Sequence, residues 1–250
     1  MKIYCASPSA TDFCHLGYAR TLAHLFEVLA TRDIPFSYHA IRSSDVVLNR
    51  NSIAHRFLHD TDATHLMMLD TDMEIEPQVF GRFLDRDHPF VGAVYSRRKL
   101  DLDAFHAHAR SGVDVATAKA LASDFPVHLP DGTLHFADGF VPVTGIGMGC
   151  VLIARTVFDT IANAGGAAEI DDDLGALTGV GTRYRDYFGL IRGANGAYLS
   201  EDLSFCKRAV DTGAVEIMGY IGPGVHHLGQ FRYSGAFEHV LKAASDTQKN

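Results

Sequence analysis

The chain has 250 residues, of which 47% are hydrophobic and 21% are charged. This composition is typical of a globular protein and the length suits one core, so we predict a single domain over residues 1–250. The formal net charge of -8 at pH 7 offers no basic footprint and argues against a nucleic-acid partner. A nucleotide diphosphate remains an acceptable ligand if a bound cation supplies local positive charge.

The cysteines and the amino-terminal residues indicate the compartment. Four scattered cysteines lack the C-x-x-C spacing of a metal or redox pair. The first residues lack the basic and apolar regions of a secretory signal, and no window approaches the roughly 20 apolar residues of a membrane span. We therefore expect a cytoplasmic protein with reduced thiols and no transmembrane segment; peripheral association with a membrane stays open.

Residues 1–95 alternate between strand-like and helix-like patterns. Apolar runs predict strands over residues 2–6, 34–41, 65–69 and 89–95, with the first strand ending in a loop at residues 7–9. Apolar spacing predicts helices between them, the first with an inner face made of Leu16, Ala19, Ala23, Phe26 and Leu29. This alternation predicts a mostly parallel sheet flanked by helices, in which ligands bind at the carboxyl ends of the strands.

Residues 97–250 have a less regular pattern. Residues 97–140 are interpreted as an excursion, with a hairpin as one form of it. An apolar, glycine-rich stretch at residues 141–153 and a short helix follow, and residues 165–181, with five glycines, are predicted to be a mobile loop. We then expect a helix over residues 201–212, a strand over residues 215–218 and a turn-rich segment over residues 222–229.

The first motif with chemical potential is Asp70-Thr71-Asp72, directly after the apolar run at residues 65–69. Two carboxylates one residue apart on irregular backbone can reach a single hard cation, which can bridge a diphosphate. The structural alternative is a turn whose aspartate caps the helix that begins near Pro77.

A second motif is Ser200-Glu201-Asp202, where two acids open an apolar helix. Ser200 can cap that helix and the acids can complement its positive end, so a purely structural role explains these residues. The functional alternative is a general base that accepts a proton from an acceptor hydroxyl. Further along, His226 and His227 lie between Gly224 and Gly229, and an imidazole there suits a cation such as Mn²⁺.

Taken in order, these motifs resemble a family. Val47-Leu48-Asn49-Arg50-Asn51, the segment from Thr64 to Met73 and Val91-Gly92-Ala93-Val94-Tyr95 come first. Met148-Gly149-Cys150-Val151-Leu152-Ile153, Ser200-Glu201-Asp202 and His227-Leu228-Gly229 follow. The set resembles GT-A glycosyltransferases of the family-two-like superfamily, from the first strand to about residue 235.

This resemblance implies a Rossmann-like GT-A fold and assigns roles to named residues. Asp72, with Asp70 and His227, would hold Mn²⁺ or Mg²⁺, although His226 could replace His227 as the ligand. Asp202 would be the catalytic base, and Glu201 would orient the acceptor or support the loop. Ser7, Pro8, Arg50, Asp70 and Thr71 would contact the nucleotide, although a structural salt bridge is an equal alternative for Arg50.

The expected function is therefore a hexosyltransferase-like enzyme of the EC 2.4 class, with residues 1–96 binding the nucleotide and residues 97–250 the acceptor. It would transfer a sugar from a UDP- or GDP-sugar to a hydroxyl of a glycan or another acceptor, with inversion. Three alternatives stay open: a retaining transferase, a nucleotidyltransferase or nucleotide-sugar hydrolase, and a non-catalytic binding module. The sequence identifies neither the sugar nor the acceptor nor the oligomeric state.

Overall fold

The computed structural model describes residues 1–132, 136, 138–172, 183–193 and 196–247. The strands are β1 Ile3–Ser9, β2 Phe36–Arg42, β3 His65–Leu69, β4 Met73–Ile75, β5 Phe90–Ala93, β6 Phe140–Val143, β7 Cys150–Ala154, β8 Glu169–Asp171, β9 Arg183–Arg185, β10 Ile217–Tyr220, β11 Val225–Leu228 and β12 Arg232–Ser234. The helices are α1 Leu16–Thr31, α2 Val46–His59, α3 Pro77–Asp85, α4 Leu102–Arg110, α5 Val115–Leu121, α6 Arg155–Asn163, α7 Glu201–Asp211 and α8 Phe237–Thr247.

A seven-stranded sheet forms the centre of the fold, in the order β2-β1-β3-β7-β5-β10-β6. Five of these strands run in one direction, whereas β7 and β6 run against them. The predicted mixed α/β fold with a mostly parallel sheet is confirmed, and it is consistent with a Rossmann-like GT-A arrangement. The antiparallel β7 lies between β3 and β5, so its first residues approach the carboxyl ends of its neighbours.

The alternation of side chains along the central strands divides the core into two layers. In β3, Leu66 and Met68 join one buried cluster, whereas Met67 and Leu69 join the other. Helices α2, α6 and α7 cover the first layer, and α1 and α3 cover the second. A strand that is buried on both faces gives a continuous apolar run, which is why the sequence predicted this element so clearly.

A second sheet joins β4, β11 and β12, all antiparallel, in the order β12-β11-β4. Strand β4 follows β3 after only three residues, so this small sheet extends from the point where the central strand ends. The segment that was predicted to be turn-rich contains β11. Two histidines interrupt its apolar pattern, and the strand is therefore visible only through its pairing with β4 and β12.

The inner face of α1 differs from the predicted one. Leu16, Ala19 and Ala23 point outward, and the buried residues are Tyr18, Thr21, Leu25 and Leu29. Thr21 can be buried because its hydroxyl accepts a hydrogen bond from the Ile75 backbone and donates one to Gly17. Satisfied hydroxyl groups therefore let polar residues take the inner face, which a purely apolar pattern does not predict.

The region over residues 97–140 was interpreted as an excursion, and it contains α4 and α5. Asp101 and Asp114 cap these helices by accepting backbone N–H groups of the first turn. Both helices are rich in alanine, which favours a helix but gives a weak apolar stripe. The first strand is also longer than predicted, because β1 stays paired with β2 through Ser7, Pro8 and Ser9.

The predicted mobile loop at residues 165–181 lies partly outside the described residues, from residue 173 onward. Its described part contains β8, which pairs with β9. The division into a nucleotide half and an acceptor half stays a prediction. Within the described part of the chain, no helix is both long and apolar enough to cross a membrane.

Candidate functional site

A cleft of about 340 Å³ opens where the parallel strands of the central sheet end. The loops after β1, β2, β3 and β5 line it, together with the first turns of α2. The lining residues are Pro8, Ser9, Ala10, Ser43, Ser44, Val46, Asn49, Arg50, Asp70, Thr71, Asp72 and Arg98. This is the edge at which a sheet of this kind places its ligands.

At the floor of the cleft, three carboxylates surround the buried guanidinium of Arg50. Its Nη2 lies 3.1 Å from Asp70 Oδ2 and 3.3 Å from Asp202 Oδ1, and its Nε lies 3.5 Å from Glu201 Oε1. Only 3% of the Arg50 side chain is exposed, so the cluster is shielded from solvent screening. One arginine therefore joins acids that are more than 130 residues apart in the sequence.

Burial and mutual repulsion change the acid strength of this cluster. Burial raises the pKa of Asp202 to about 7, and Glu201 and Asp70 add to the increase while Arg50 opposes it. Burial also raises the pKa of Asp70, again against the effect of Arg50. For Arg50, burial disfavours the charge, but the three carboxylates outweigh it and raise its pKa. Asp202 is therefore a carboxyl that can exchange a proton near neutral pH.

The backbone between β6 and β7 fixes the acids relative to each other. Gly149 accepts a hydrogen bond from the Asp70 N–H at 2.9 Å, and the Met148 N–H donates to the Asp202 carboxylate. Gly149 in turn donates its N–H to the Tyr95 hydroxyl at 3.1 Å. A Cβ on Gly149 would lie 2.8 Å from that hydroxyl, so the close approach requires glycine.

The structural alternative for the Ser200-Glu201-Asp202 motif is also observed. Ser200 accepts a hydrogen bond from the Leu203 N–H and caps α7, with both acids in the first turn. Capping therefore places Glu201 and Asp202 at the helix end that faces Arg50. The same residues begin the helix and complete the charged cluster, so the structural role of this motif does not exclude a functional one.

Asp72 belongs to a second polar group at the edge of the cleft. Its Oδ2 lies 3.2 Å from His227 Nε2 and 3.1 Å from Arg98 Nη1. Burial alone would raise the pKa of Asp72, but the contacts with His227 and Arg98 outweigh it and lower the pKa. The backbone reinforces this arrangement, because the Leu228 N–H donates to the Asp72 carbonyl at 2.7 Å.

Strand β11 decides which of the two histidines approaches Asp72. Neighbouring side chains of a strand point to opposite faces, so His226 and His227 diverge. His227 faces Asp72, and its ring packs edge-on against Tyr95. His226 lines a different cavity on the other side of the small sheet, where its Nε2 lies 3.5 Å from Glu76.

The donor atoms around Asp72 suit a divalent cation that is shared with a substrate. His227 Nδ1 lies 3.1 Å from the Ser96 carbonyl oxygen, which can only accept a hydrogen bond. With Nδ1 directed at Ser96, Nε2 is the ring atom that faces the Asp72 carboxylate, and a cation between them would take Nε2 and Oδ2 as its protein ligands. Asp70 Oδ1 is also buried, and it has no hydrogen-bond partner in the part of the chain that the structure describes.

No group of three or more His, Cys, Asp or Glu side chains forms a metal cage among the described residues. A cation that also binds a diphosphate needs only one or two protein ligands, so Asp72 and His227 would suffice, with Asp70 beside them. The balance of charges in the site also suits a divalent cation. When ionised, the carboxylates of Asp70, Asp72, Glu201 and Asp202 outnumber the guanidinium groups of Arg50 and Arg98 by two.

The residues predicted to contact the nucleotide take different positions. Pro8 and Thr71 line the cleft. Ser7 is fully buried, and its hydroxyl is hydrogen-bonded to Tyr18 instead of facing the cleft. Arg50 forms the structural salt bridges that were one of its two alternatives. A contact between Arg50 and a diphosphate stays a prediction.

Two residues of this site were not recognised from the sequence. Arg98 was not considered as a site residue, although it follows the predicted strand over residues 89–95 and therefore comes from a carboxyl end. Tyr95 has no role in the sequence analysis beyond closing the motif that begins at Val91, whereas in the structure it is buried between Gly149 and His227. The carboxyl-end rule could have identified Arg98. No sequence signal marks the role of Tyr95.

Neither protein-family models nor curated protein sequences match the chain. Among solved structures, A197 from STIV is 17% identical with a TM-score of 0.45, over 92% of this chain and 86% of that chain. A glycosyltransferase involved in glycosylation of the major capsid of PBCV-1 is 12% identical with a TM-score of 0.34, over 64% and 62%.

A third similar structure is 4-diphosphocytidyl-2C-methyl-D-erythritol synthase from Anaerococcus prevotii, 10% identical with a TM-score of 0.35, over 84% of this chain and 98% of that chain. Similarities of this size carry no argument about activity. Any statement about function therefore depends on the residues of the cleft.

Proposed function

We propose that this protein is a metal-dependent glycosyltransferase that moves a sugar from a nucleotide-diphosphate sugar to an acceptor hydroxyl with inversion. One observation carries the proposal. Asp202, a carboxyl whose pKa is raised to about 7, shares the buried Arg50 with Asp70, next to a cleft that Asp72 lines. The proposed base is therefore linked through Arg50 to Asp70, and Asp70 lines the cleft together with the proposed cation ligand Asp72.

In this proposal Asp202 accepts the proton of the acceptor hydroxyl. The hydroxyl oxygen forms a bond to the anomeric carbon while the bond from that carbon to the diphosphate oxygen breaks. The electron pair of the broken bond leaves with the nucleoside diphosphate. Asp202 Oδ1 is buried and faces Arg50, whereas about a fifth of the side chain is exposed, so the acceptor hydroxyl would have to approach the other carboxyl oxygen.

Arg50 and Glu201 would support this step without contacting the reacting atoms. Arg50 holds Asp202 and Asp70 at one guanidinium, which limits the movement of the base. Glu201 completes the shell around Arg50 from the first turn of α7. A divalent cation at Asp72 and His227 would supply positive charge to the departing diphosphate.

The test is a transfer assay with UDP- and GDP-sugars in the presence of Mn²⁺ or Mg²⁺ and a panel of glycan acceptors. We expect nucleoside diphosphate release to require both an acceptor and a divalent cation. Proton NMR of the first-formed glycoside should show the inverted anomeric configuration; retained configuration would contradict the role of Asp202 as a base. Release of pyrophosphate would indicate a nucleotidyltransferase, and turnover without acceptor a hydrolase.

A further inference from the structure

Positive charge is scarce in the cleft that the proposed function assigns to a diphosphate. Arg50 is enclosed by three carboxylates, so its charge is already compensated. Arg42 lines an adjoining cavity, and its Nη1 is paired with Asp12 at 2.7 Å. Arg98 is the remaining arginine that lines the described part of the cleft, and it also lines an adjoining cavity with Ser9 and Thr71.

Arg98 combines a fixed backbone with a movable side chain. The adjacent Arg97 N–H donates to the Asp124 carbonyl at 2.8 Å, and the Arg97 side chain pairs with the Asp124 carboxylate at 3.0 Å. About half of the Arg98 side chain is exposed, so solvent does not prevent its guanidinium from changing partners. The backbone therefore keeps Arg98 at the cleft while its guanidinium can reorient.

The His227-Leu228-Gly229 motif contributes to the position of Arg98. A Cβ on Gly229 would lie 2.9 Å from Arg98 Cδ, closer than such contacts normally come. The glycine therefore leaves space for the arginine stem to pass over the end of β11. This gives Gly229 a role in the site that does not involve contact with a phosphate.

The present partner of Arg98 is an atom that a cation would need. Asp72 Oδ2 lies 3.1 Å from Arg98 Nη1, and the same oxygen faces His227 Nε2. A guanidinium and a divalent cation repel each other, so both cannot remain on one carboxylate oxygen at low cost. If Asp72 binds a cation, Arg98 has to leave this oxygen.

Building on the proposed function, we infer that Arg98 occupies Asp72 in the empty site and transfers to the diphosphate when the cation and nucleotide bind. The guanidinium fork matches two phosphate oxygens, and the incoming anion replaces the lost carboxylate. Arg98 is therefore both a competitor of the free cation and a ligand of the nucleotide. The exchange makes cation binding favourable mainly when a diphosphate accompanies it.

The test compares the wild-type protein with Arg98→Ala, Arg98→Lys and the control Arg32→Ala, which removes an arginine that is paired with exposed Asp85 at the end of α1. Manganese binding without nucleotide is followed by electron paramagnetic resonance, and binding of UDP and GDP at saturating Mn²⁺ by calorimetry. We expect Arg98→Ala to bind Mn²⁺ alone about two- to fivefold more tightly, because an exposed competing ion pair is lost. The same variant should bind the diphosphate about 10- to 100-fold more weakly.

Arg98→Lys should lie between wild type and Arg98→Ala for the nucleotide, because a lysine keeps the charge but loses the fork. Arg32→Ala should match wild type in both measurements. Weaker Mn²⁺ binding by Arg98→Ala, or diphosphate binding as tight as in wild type, would overturn this inference about Arg98 and leave the proposed function standing. A wild-type protein that binds no nucleoside diphosphate with Mn²⁺ overturns the proposed function as well.

Discussion

Arg50 Nη2 lies 3.3 Å from Asp202 Oδ1, although the two residues belong to α2 and α7, which are far apart in the sequence. The same nitrogen lies 3.1 Å from Asp70 Oδ2. The buried guanidinium of Arg50 therefore sets the spacing between Asp202, the proposed base, and Asp70, which would lie beside the metal ion.

Replacement of Asp202 by asparagine should remove the base and keep the shape of the site. We expect kcat for transfer to fall by about 10²-fold or more, because general base catalysis contributes about 10²–10⁴-fold. Binding of nucleoside diphosphate with Mn²⁺, measured by calorimetry, should change little. Asp211→Asn, on the same helix and paired with exposed Lys207, is the control and should transfer normally. Full activity of Asp202→Asn would exclude the assigned role.

The pH profile of kcat/KM reports the ionisation of the free enzyme. Asp202 has to be ionised to accept a proton, and its pKa is raised to about 7. We therefore expect kcat/KM to increase with pH, to reach half of its maximum near pH 7 and to level off above it. Initial rates between pH 5 and pH 9 at constant ionic strength measure this. A profile that is flat down to pH 5 would argue against Asp202.

The raised pKa of Asp202 also has a consequence for stability. The folded state holds this proton more tightly than the unfolded state, whose carboxyl titrates near 3.8. The resulting stabilisation is fully present below about pH 4 and is lost as pH rises through about 7. Asp202→Asn should therefore be more stable than wild type above pH 7, by up to about 4 kcal/mol.

Urea denaturation at several pH values measures this difference, with Asp211→Asn as the matched control. The stability gain of Asp202→Asn should shrink as pH falls toward 4. A gain that is independent of pH would show that ionisation of Asp202 is not its source. A loss of stability at every pH would show that Arg50 needs all three of its carboxylates.

Tyr95→Phe removes the hydroxyl that accepts the Gly149 N–H. The buried N–H is then unpaired, and we expect the free energy of unfolding to fall by about 1–3 kcal/mol. The backbone that positions Asp70 would also lose a support, so kcat should fall without an equal change in KM. Tyr198→Phe is the control, because 64% of Tyr198 is exposed. Equal stability of the two variants would exclude this role of Tyr95.

The sequence predicted the central elements because their signals are local. Strand β3 is apolar on both faces, and Pro77 starts α3 as a proline in the first helical turn usually does. Asp70, Asp72 and Asp202 were selected because acids follow a buried strand or begin a helix. Their positions around the cleft follow from the topology, which brings these ends of the elements to one edge.

The missed features depend on contacts between distant residues. The inner face of α1 includes Thr21 because Ile75 supplies a hydrogen bond. Arg50 is buried because Asp70 and Asp202 meet at its guanidinium, and no pattern around Arg50 distinguishes this from a contact with phosphate. Strand β11 forms through pairing with β4, while its histidines hide the apolar alternation. Local propensity does not contain such tertiary information.

In the proposed site, Asp72 would hold a divalent cation on the diphosphate of a nucleotide. Calorimetric titration of wild type and Asp72→Asn with UDP and GDP, each with Mn²⁺ and with EDTA, measures whether nucleotide binding depends on this cation and on this carboxylate. We predict binding that requires Mn²⁺ and that weakens at least about tenfold in Asp72→Asn, the loss that even a supporting residue of a metal site causes. Asp85→Asn, which removes an exposed aspartate paired with Arg32 at the end of α3, should bind normally. Equal nucleotide affinity with EDTA and with Mn²⁺, or an unchanged affinity in Asp72→Asn, would contradict the account.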